Sequence, residues 1–216
     1  MEAWLSKWGP LAGVLSALAF VVSFFSGSST PNDNATGQQV IQWYTTHHNQ
    51  RILGDVLIVL AMFFLVVFAT TLTRHVRRGG RWIAAGALGG AVCAAIGLTA
   101  IVAFDLVLAT DTKDLTPVSA QTLNLLQNDF FLPIVLGFAL FGVLGGLAVV
   151  TGRILPAWMG WVLFAIGIAA LVPPISWFAL LGTMLWVLIA SVWMVIQGAP
   201  AAERAEPVTA GERVLA

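Results

Sequence analysis

The chain has 216 residues, of which 59% are hydrophobic and only 9% are charged, and its formal net charge is zero. A soluble domain carries about 25% charged residues, so this composition excludes a soluble fold and predicts a protein embedded in lipid. The zero net charge gives no electrostatic support to a nucleic-acid partner. Cys93 is the only cysteine, which excludes an intrachain disulfide and a thiolate metal cluster.

Six apolar segments follow one another along the chain, and most are near the roughly 20 residues that cross a bilayer as a helix. They are residues 8–25, 52–72, 82–108, 130–150, 157–172 and 175–196, the fifth being the shortest. The sequence therefore predicts an all-α polytopic membrane protein, a bundle of six transmembrane helices over residues 1–197. Residues 198–216 are polar and rich in Ala, Glu and Pro, and are expected to form a disordered cytoplasmic tail.

The first segment has a second interpretation. Lys7, an apolar stretch and then Ser-Gly-Ser-Ser could form a cleaved signal peptide. The apolar stretch is longer than a signal peptide requires, which favours a retained helix. Cleavage would leave the orientation of the other five segments unchanged.

The basic residues predict the orientation, because cytoplasmic loops of membrane proteins carry an excess of Lys and Arg. With the N-terminus in the cytoplasm, only Arg51 and Lys113 fall outside. The residues that fall inside are Lys7, Arg74, Arg77, Arg78, Arg81, Arg153, Arg204 and Arg213. Both termini are therefore expected to be cytoplasmic.

A polar stretch before the second span predicts a short helix over residues 37–50 that lies on the outer membrane face. Thr36 and Gln39 match a T-x-x-Q capping box at its start. Trp43 and Tyr44 are residues that favour a membrane–water boundary. Thr116, followed by Pro117, is likewise typical of a helix start in the second outer loop.

Six ionisable residues are predicted to collect near the outer edge of the hydrocarbon, where they form a candidate polar site. They are His47, His48, Arg51, Asp55, Asp105 and Asp129. Asp105 is surrounded by apolar residues on both sides, so its charge is costly and needs a partner or water; Arg51 and the two histidines are the candidates. Such a cluster either carries function or ties the outer loops to the bundle.

The same residues do not predict a metal or cofactor site. Adjacent histidines on a helix point about 100° apart, so His47 and His48 rarely bind one ion. The spans contain no lysine for a Schiff base and no histidine for haem, and the chain has no phosphate-binding loop and no G-x-S-x-G motif. We expect neither a metal nor a cofactor.

Two similar glycine motifs predict helix contacts. Gly86 and Gly90 lie in the third span, and Gly142 and Gly146 lie in the fourth. Each pair forms a G-x-x-x-G motif, which allows close helix approach. Because both motifs fall in the inner half of the membrane, we expect the third and fourth spans to touch there.

Three segments together resemble a known group of proteins. They are WYTTHHNQRILGD, beginning at Trp43, TLTRHVRRGGRW, beginning at Thr71, and RILPAW followed by MGW, beginning at Arg153. They resemble small multi-pass membrane proteins of actinobacteria that are assigned to domains of unknown function. The resemblance implies a bacterial plasma-membrane protein and carries over no catalytic or binding residues.

Two classes of function stay open. The first is a structural or accessory membrane protein that binds a protein partner or a second copy of itself, and the sequence favours it. The alternative is a small transporter or sensor with an outward-facing His/Asp/Arg site. A membrane-embedded enzyme is less favoured, because only the outer polar residues could supply a nucleophile and a base together.

Overall fold

The computed structural model describes residues 2–26, 30–74, 80–153 and 155–197, with side chains from residue 8 onward. The predicted disordered tail and residues 75–79 of the basic loop lie outside the described residues. The helices are α1 (Glu2–Ser26), α2 (Gly37–Arg74), α3 (Arg81–Thr110), α4 (Pro117–Asp129), α5 (Leu132–Gly152), α6 (Ala157–Ala170) and α7 (Ser176–Ile196).

The predicted all-α bundle is confirmed. Among the described residues, five helical stretches are long and apolar enough to cross a membrane, and α4 and α5 count as one of them because they are nearly continuous. The fifth predicted span corresponds to α6, which is apolar but only 14 residues long. At 1.5 Å per residue it rises about 21 Å, less than the roughly 30 Å of a hydrocarbon core.

The six helices other than α4 form a ring. Going around it, α1 packs against α2, α2 against α3, α3 against α5, α5 against α6, α6 against α7, and α7 against α1. The short helix α4 packs on α2 and α3 at one end of this ring, which we call the α4 end. Successive helices of the ring run in opposite directions. The start of α1 and the end of α7 therefore lie at the end of the ring opposite to α4.

The interior of the ring is filled with side chains in the half remote from α4. Phe68 and Trp186 meet edge to face with ring centroids 6.5 Å apart, and Leu65 and Met184 are buried beside them. The Trp186 indole nitrogen donates a hydrogen bond to the carbonyl oxygen of Met159 at 2.9 Å. A buried indole N–H needs such a partner.

The predicted contact between the third and fourth spans is confirmed, because α3 packs on α5 at its glycine motif, but the motif of α5 does not take part in that contact. Gly90 of α3 does pack on α5, where an added Cβ would lie 2.9 Å from the carbonyl oxygen of Gly137. An added Cβ on Gly86 would meet the Leu144 side chain, also on α5. Gly142 and Gly146, however, face α6 rather than α3. The reason is that α5 packs between α3 and α6, and these two glycines lie on the side of α5 that faces α6.

The α6 side of α5 is equally tight. A Cβ on Gly142 would lie 2.8 Å from the backbone nitrogen of Gly167, and one on Gly146 would lie 2.6 Å from that of Phe164. These two glycines therefore set the approach of α5 to the short helix α6.

The predicted separate helix over residues 37–50 is instead the first part of α2. A kink at His47, with φ −108° and ψ 15°, marks the join. Val40 and Tyr44 are fully buried against Leu108, Ala109 and Ala120 of α3 and α4. These apolar contacts hold the segment against α3 and α4.

Both predicted helix starts are confirmed. The Thr36 backbone nitrogen donates to Gln39 Oε1 at 2.8 Å, and the Gln39 nitrogen donates to Thr36 Oγ1 at 3.4 Å. At the start of α4 the Ser119 nitrogen donates to Thr116 Oγ1 at 3.2 Å, and Pro117 occupies the first turn. The two helix starts lie together, because a Cβ on Gly37 would come within 2.7 Å of the Pro117 Cα.

Candidate functional site

An arginine between two buried carboxylates forms the centre of the candidate site. Arg51 Nε and Nη2 both contact Oδ2 of Asp105 on α3. Arg51 Nε also lies 3.7 Å from Oδ1 of Asp55, one turn further along α2. Both aspartates are fully buried, whereas the Arg51 side chain is 15% exposed. Arg51 is therefore bonded to Asp105 and only loosely paired with Asp55.

Two neutral side chains complete this group. The Tyr44 hydroxyl, also on α2, donates a hydrogen bond to Oδ1 of Asp105 and lies 3.0 Å from Oε1 of Gln127 on α4. Tyr44 is fully buried and Gln127 is nearly so. We refer to Tyr44, Arg51, Asp55, Asp105 and Gln127 as the Arg51 cluster. It joins α2, α3 and α4 through side chains alone.

The Arg51 cluster holds two acidic groups for one basic group. Neither oxygen of Asp55 accepts a hydrogen bond within the part of the chain that the structure describes. Buried charge in a membrane bundle is costly unless it is paired and hydrogen-bonded. Asp105 meets both conditions, whereas Asp55 is only loosely paired with Arg51 and accepts no hydrogen bond from the described residues. The cluster therefore has no electrostatic need for a further anion.

A cavity of about 540 Å³ opens beside the Arg51 cluster, in the half of the ring nearest to α4. Every helix of the ring except α6 contributes residues to its wall. The lining residues are Phe20, Ser23, Phe24, Thr30, Arg51, Ile58, Leu98, Ile101, Gln127, Asn128, Phe131, Ile134, Trp177 and Leu180. Most of this wall is apolar. Arg51 and Gln127 belong to the polar part of the wall, so the Arg51 cluster borders the cavity there.

The two predicted histidines lie elsewhere. The His47 ring stacks on the Trp43 ring with centroids 4.6 Å apart, and its Nδ1 lies 2.9 Å from the Trp43 carbonyl oxygen. His48 Nδ1 lies 2.8 Å from the carbonyl oxygen of Ala109. Both histidines border a separate polar cleft that also includes Lys113. Neither is a partner of Asp105, so of the predicted partners only Arg51 contacts it.

Asp129 is also separate from the cluster. It is the last residue of α4 and is exposed. The structure thus brings together Arg51, Asp55 and Asp105 out of the six predicted site residues. Within the described residues no three His, Cys, Asp or Glu side chains lie close enough to hold a metal ion.

The sequence analysis missed two members of the cluster. Tyr44 was assigned to the membrane boundary, although it precedes Arg51 by seven residues and Asp55 by eleven, which places all three on one helix face. That spacing was the available signal. Gln127 gave none, because only the packing of α4 across α2 and α3 brings it to Tyr44.

Comparison with known proteins finds no matching family model, no similar curated protein and no similar solved structure. The function must therefore be argued from the cavity and the Arg51 cluster themselves.

Proposed function

We propose that this membrane protein is a sensor or carrier that binds a small, mainly apolar molecule in the cavity at its α4 end. The observation that carries the proposal is the cavity itself, which is enclosed by the helix ring and has a charged group in one wall. Ligand sites are typically concave, about 300–1,000 Å³ in volume, and apolar with a few convergent polar groups. The cavity of about 540 Å³ beside Arg51 has all of these properties.

The position of the cavity supports this role. The helix ring is filled with side chains in its other half, around Phe68 and Trp186. The space inside the ring therefore lies in the half nearest to α4, and buried side chains separate it from the end that bears the termini. A molecule bound beside Arg51 would be reached from one side of the membrane, as in a sensor or in one state of a carrier.

The proposed location is a bacterial plasma membrane, with both termini in the cytoplasm and the α4 end outside. The support is the excess of Lys and Arg on the terminal side and the resemblance to actinobacterial membrane proteins. A cysteine-accessibility experiment tests the orientation in a Cys93→Ala background. Val118→Cys, which is 74% exposed on α4, should react with a membrane-impermeant maleimide on intact cells. Trp82→Cys, which is 91% exposed at the start of α3, should react only after lysis.

The ligand itself is tested by native mass spectrometry of the full chain, released from its own membrane in a mild detergent. We expect an additional mass corresponding to one small molecule. Ile101→Trp, which enlarges a side chain of the cavity wall, should remove it. Ile96→Trp on the same helix is the control, because Ile96 is 63% exposed on the outside of the bundle. An absent additional mass, or one that Ile101→Trp retains, contradicts the proposal.

A structural or accessory role is the second candidate, and one specific observation favours it. Tyr44, Arg51 and Asp105 link α2 to α3 through hydrogen bonds and an ion pair, and the hydrogen bond from Tyr44 to Gln127 adds α4. A group that ties helices together needs no ligand. In that case substitutions in the cluster would change only the stability of the protein, and the search would turn to a protein partner or a second copy.

A further inference from the structure

We propose that the molecule bound in this cavity has an uncharged head group that accepts hydrogen bonds, such as an ester or ketone carbonyl, on an apolar body. Arg51 Nη1 would donate to that carbonyl. The inference rests on the proposed function and specifies its ligand class.

The first step is the free donor on Arg51. Its Nε and Nη2 are both used on Asp105, whereas Nη1 has no acceptor among the residues that the structure describes. A guanidinium group has five N–H donors and no acceptor, so Arg51 keeps donors that Asp105 does not use. Because Arg51 lines the cavity and is 15% exposed, an acceptor can reach it from there.

The second step is the charge of the head group. Asp105 already neutralises Arg51, and Asp55 adds a further carboxylate 3.7 Å from Arg51 Nε. A ligand carboxylate or phosphate would place another negative charge beside a single guanidinium, against a largely apolar wall. Desolvating that charge would cost more than the remaining attraction returns. A neutral carbonyl oxygen accepts the same N–H without this penalty.

The third step is the body of the molecule. Away from Arg51 the wall consists largely of aliphatic and aromatic side chains, among them Leu98, Ile134 and Leu180. The rings of Phe131 and Trp177 stack in the same wall with centroids 5.0 Å apart and planes 27° apart. Such a surface favours hydrocarbon and is unfavourable to a second polar group. The chemistry is that of a neutral lipid-like molecule with one polar end.

Photolabelling of the full chain in lipid nanodiscs tests the inference. The probe is a medium-chain fatty-acid methyl ester with a diazirine on its chain, and labelled residues are located by mass spectrometry. We expect labelling of cavity residues such as Leu98 and Leu180 that excess unlabelled methyl ester suppresses. Labelling of lipid-facing residues such as Phe63 and Ile96 should persist, because the bilayer is not a saturable site.

Matched competitors then test the head group. The free acid and the alkane of the same chain length should need roughly tenfold or more higher concentration than the ester to suppress the labelling, since a hydrogen bond to a charged group is at stake. Arg51→Lys keeps the positive charge but removes the planar guanidinium group and with it Nη1. It should weaken competition by the ester and leave competition by the acid and the alkane unchanged. Its melting temperature shows whether it is folded.

The outcomes separate the two proposals. If no probe gives saturable labelling of the cavity, the proposed function fails and the inference fails with it. If the acid or the alkane competes as well as the ester, or a folded Arg51→Lys protein competes unchanged, the ligand site stands but the head-group assignment is overturned.

Discussion

Replacing each aspartate of the Arg51 cluster by asparagine should change the stability of the protein by very different amounts, although both residues are equally buried. Asp105 receives Nε and Nη2 of Arg51 and the hydroxyl of Tyr44. Asp55 receives no hydrogen bond from the described residues and lies 3.7 Å from Arg51 Nε. Asp105→Asn therefore removes the main counter-charge of a buried arginine, whereas Asp55→Asn removes a carboxylate that interacts only weakly with Arg51.

The magnitudes follow from the cost of leaving a buried charge unpaired. Removing one partner of a buried ion pair costs about 3–5 kcal/mol. Asp55 can partly replace Asp105 as the counter-charge, so we expect the lower end, about 3 kcal/mol. For a chain of this size that corresponds to a melting temperature lower by roughly 6–12 °C. Asp55→Asn should change the free energy of unfolding by no more than about 1 kcal/mol, in either direction.

The assay is thermal unfolding of the detergent-purified protein and of the two variants under identical conditions. Asp129→Asn serves as the control, because Asp129 is exposed and lies outside the cluster. The reasoning is refuted if Asp55→Asn lowers the melting temperature as much as Asp105→Asn does. That result would mean that Arg51 is held equally by both carboxylates.

Three further substitutions test other contacts. Tyr44→Phe should lower the free energy of unfolding by about 1.5–3 kcal/mol, because it removes a hydrogen bond to a carboxylate, and should have a smaller effect when Asp105 is already asparagine; additive losses in this double-mutant cycle would argue against the bond. Gly90→Ala should destabilise the protein by about 1–3 kcal/mol by forcing α3 from the backbone of α5, while Gly89→Ala, whose Cβ meets nothing within 4 Å, should be neutral or slightly stabilising; equal melting temperatures would rule out this contact. Trp186→Phe should lower the free energy of unfolding by about 1–3 kcal/mol, because it removes the buried hydrogen bond to the Met159 carbonyl oxygen and reduces the ring contact with Phe68, whereas Trp82→Phe at the exposed start of α3 should leave it unchanged; a melting curve of Trp186→Phe identical to that of the original protein would contradict the buried bond.

The amino-acid sequence alone determined the class of the protein and the ends of most helices. Long apolar segments must become helices in lipid, because a helix is the element that satisfies its own backbone hydrogen bonds. The caps at Thr36 and Thr116 depend on residues three apart in the chain, so they too could be predicted. Asp105 was recognised because an acid among apolar residues is costly wherever it lies.

Tertiary structure alone decided which polar groups meet. The two histidines, Arg51 and the acids were predicted at one depth, but depth does not specify the direction of a side chain around the helix axis. Asp105 contacts Arg51 and Tyr44 because α3 packs on the face of α2 that bears these two residues. His48 instead contacts the backbone carbonyl of Ala109.

Gln127 entered the cluster only through the placement of α4 across two helices. The same holds for Gly142 and Gly146, whose partner helix depends on the order of helices around the ring. The cavity has no signature in the sequence, because it is the space left where residues far apart in the chain fail to meet, and only the positions of all the helices define that space.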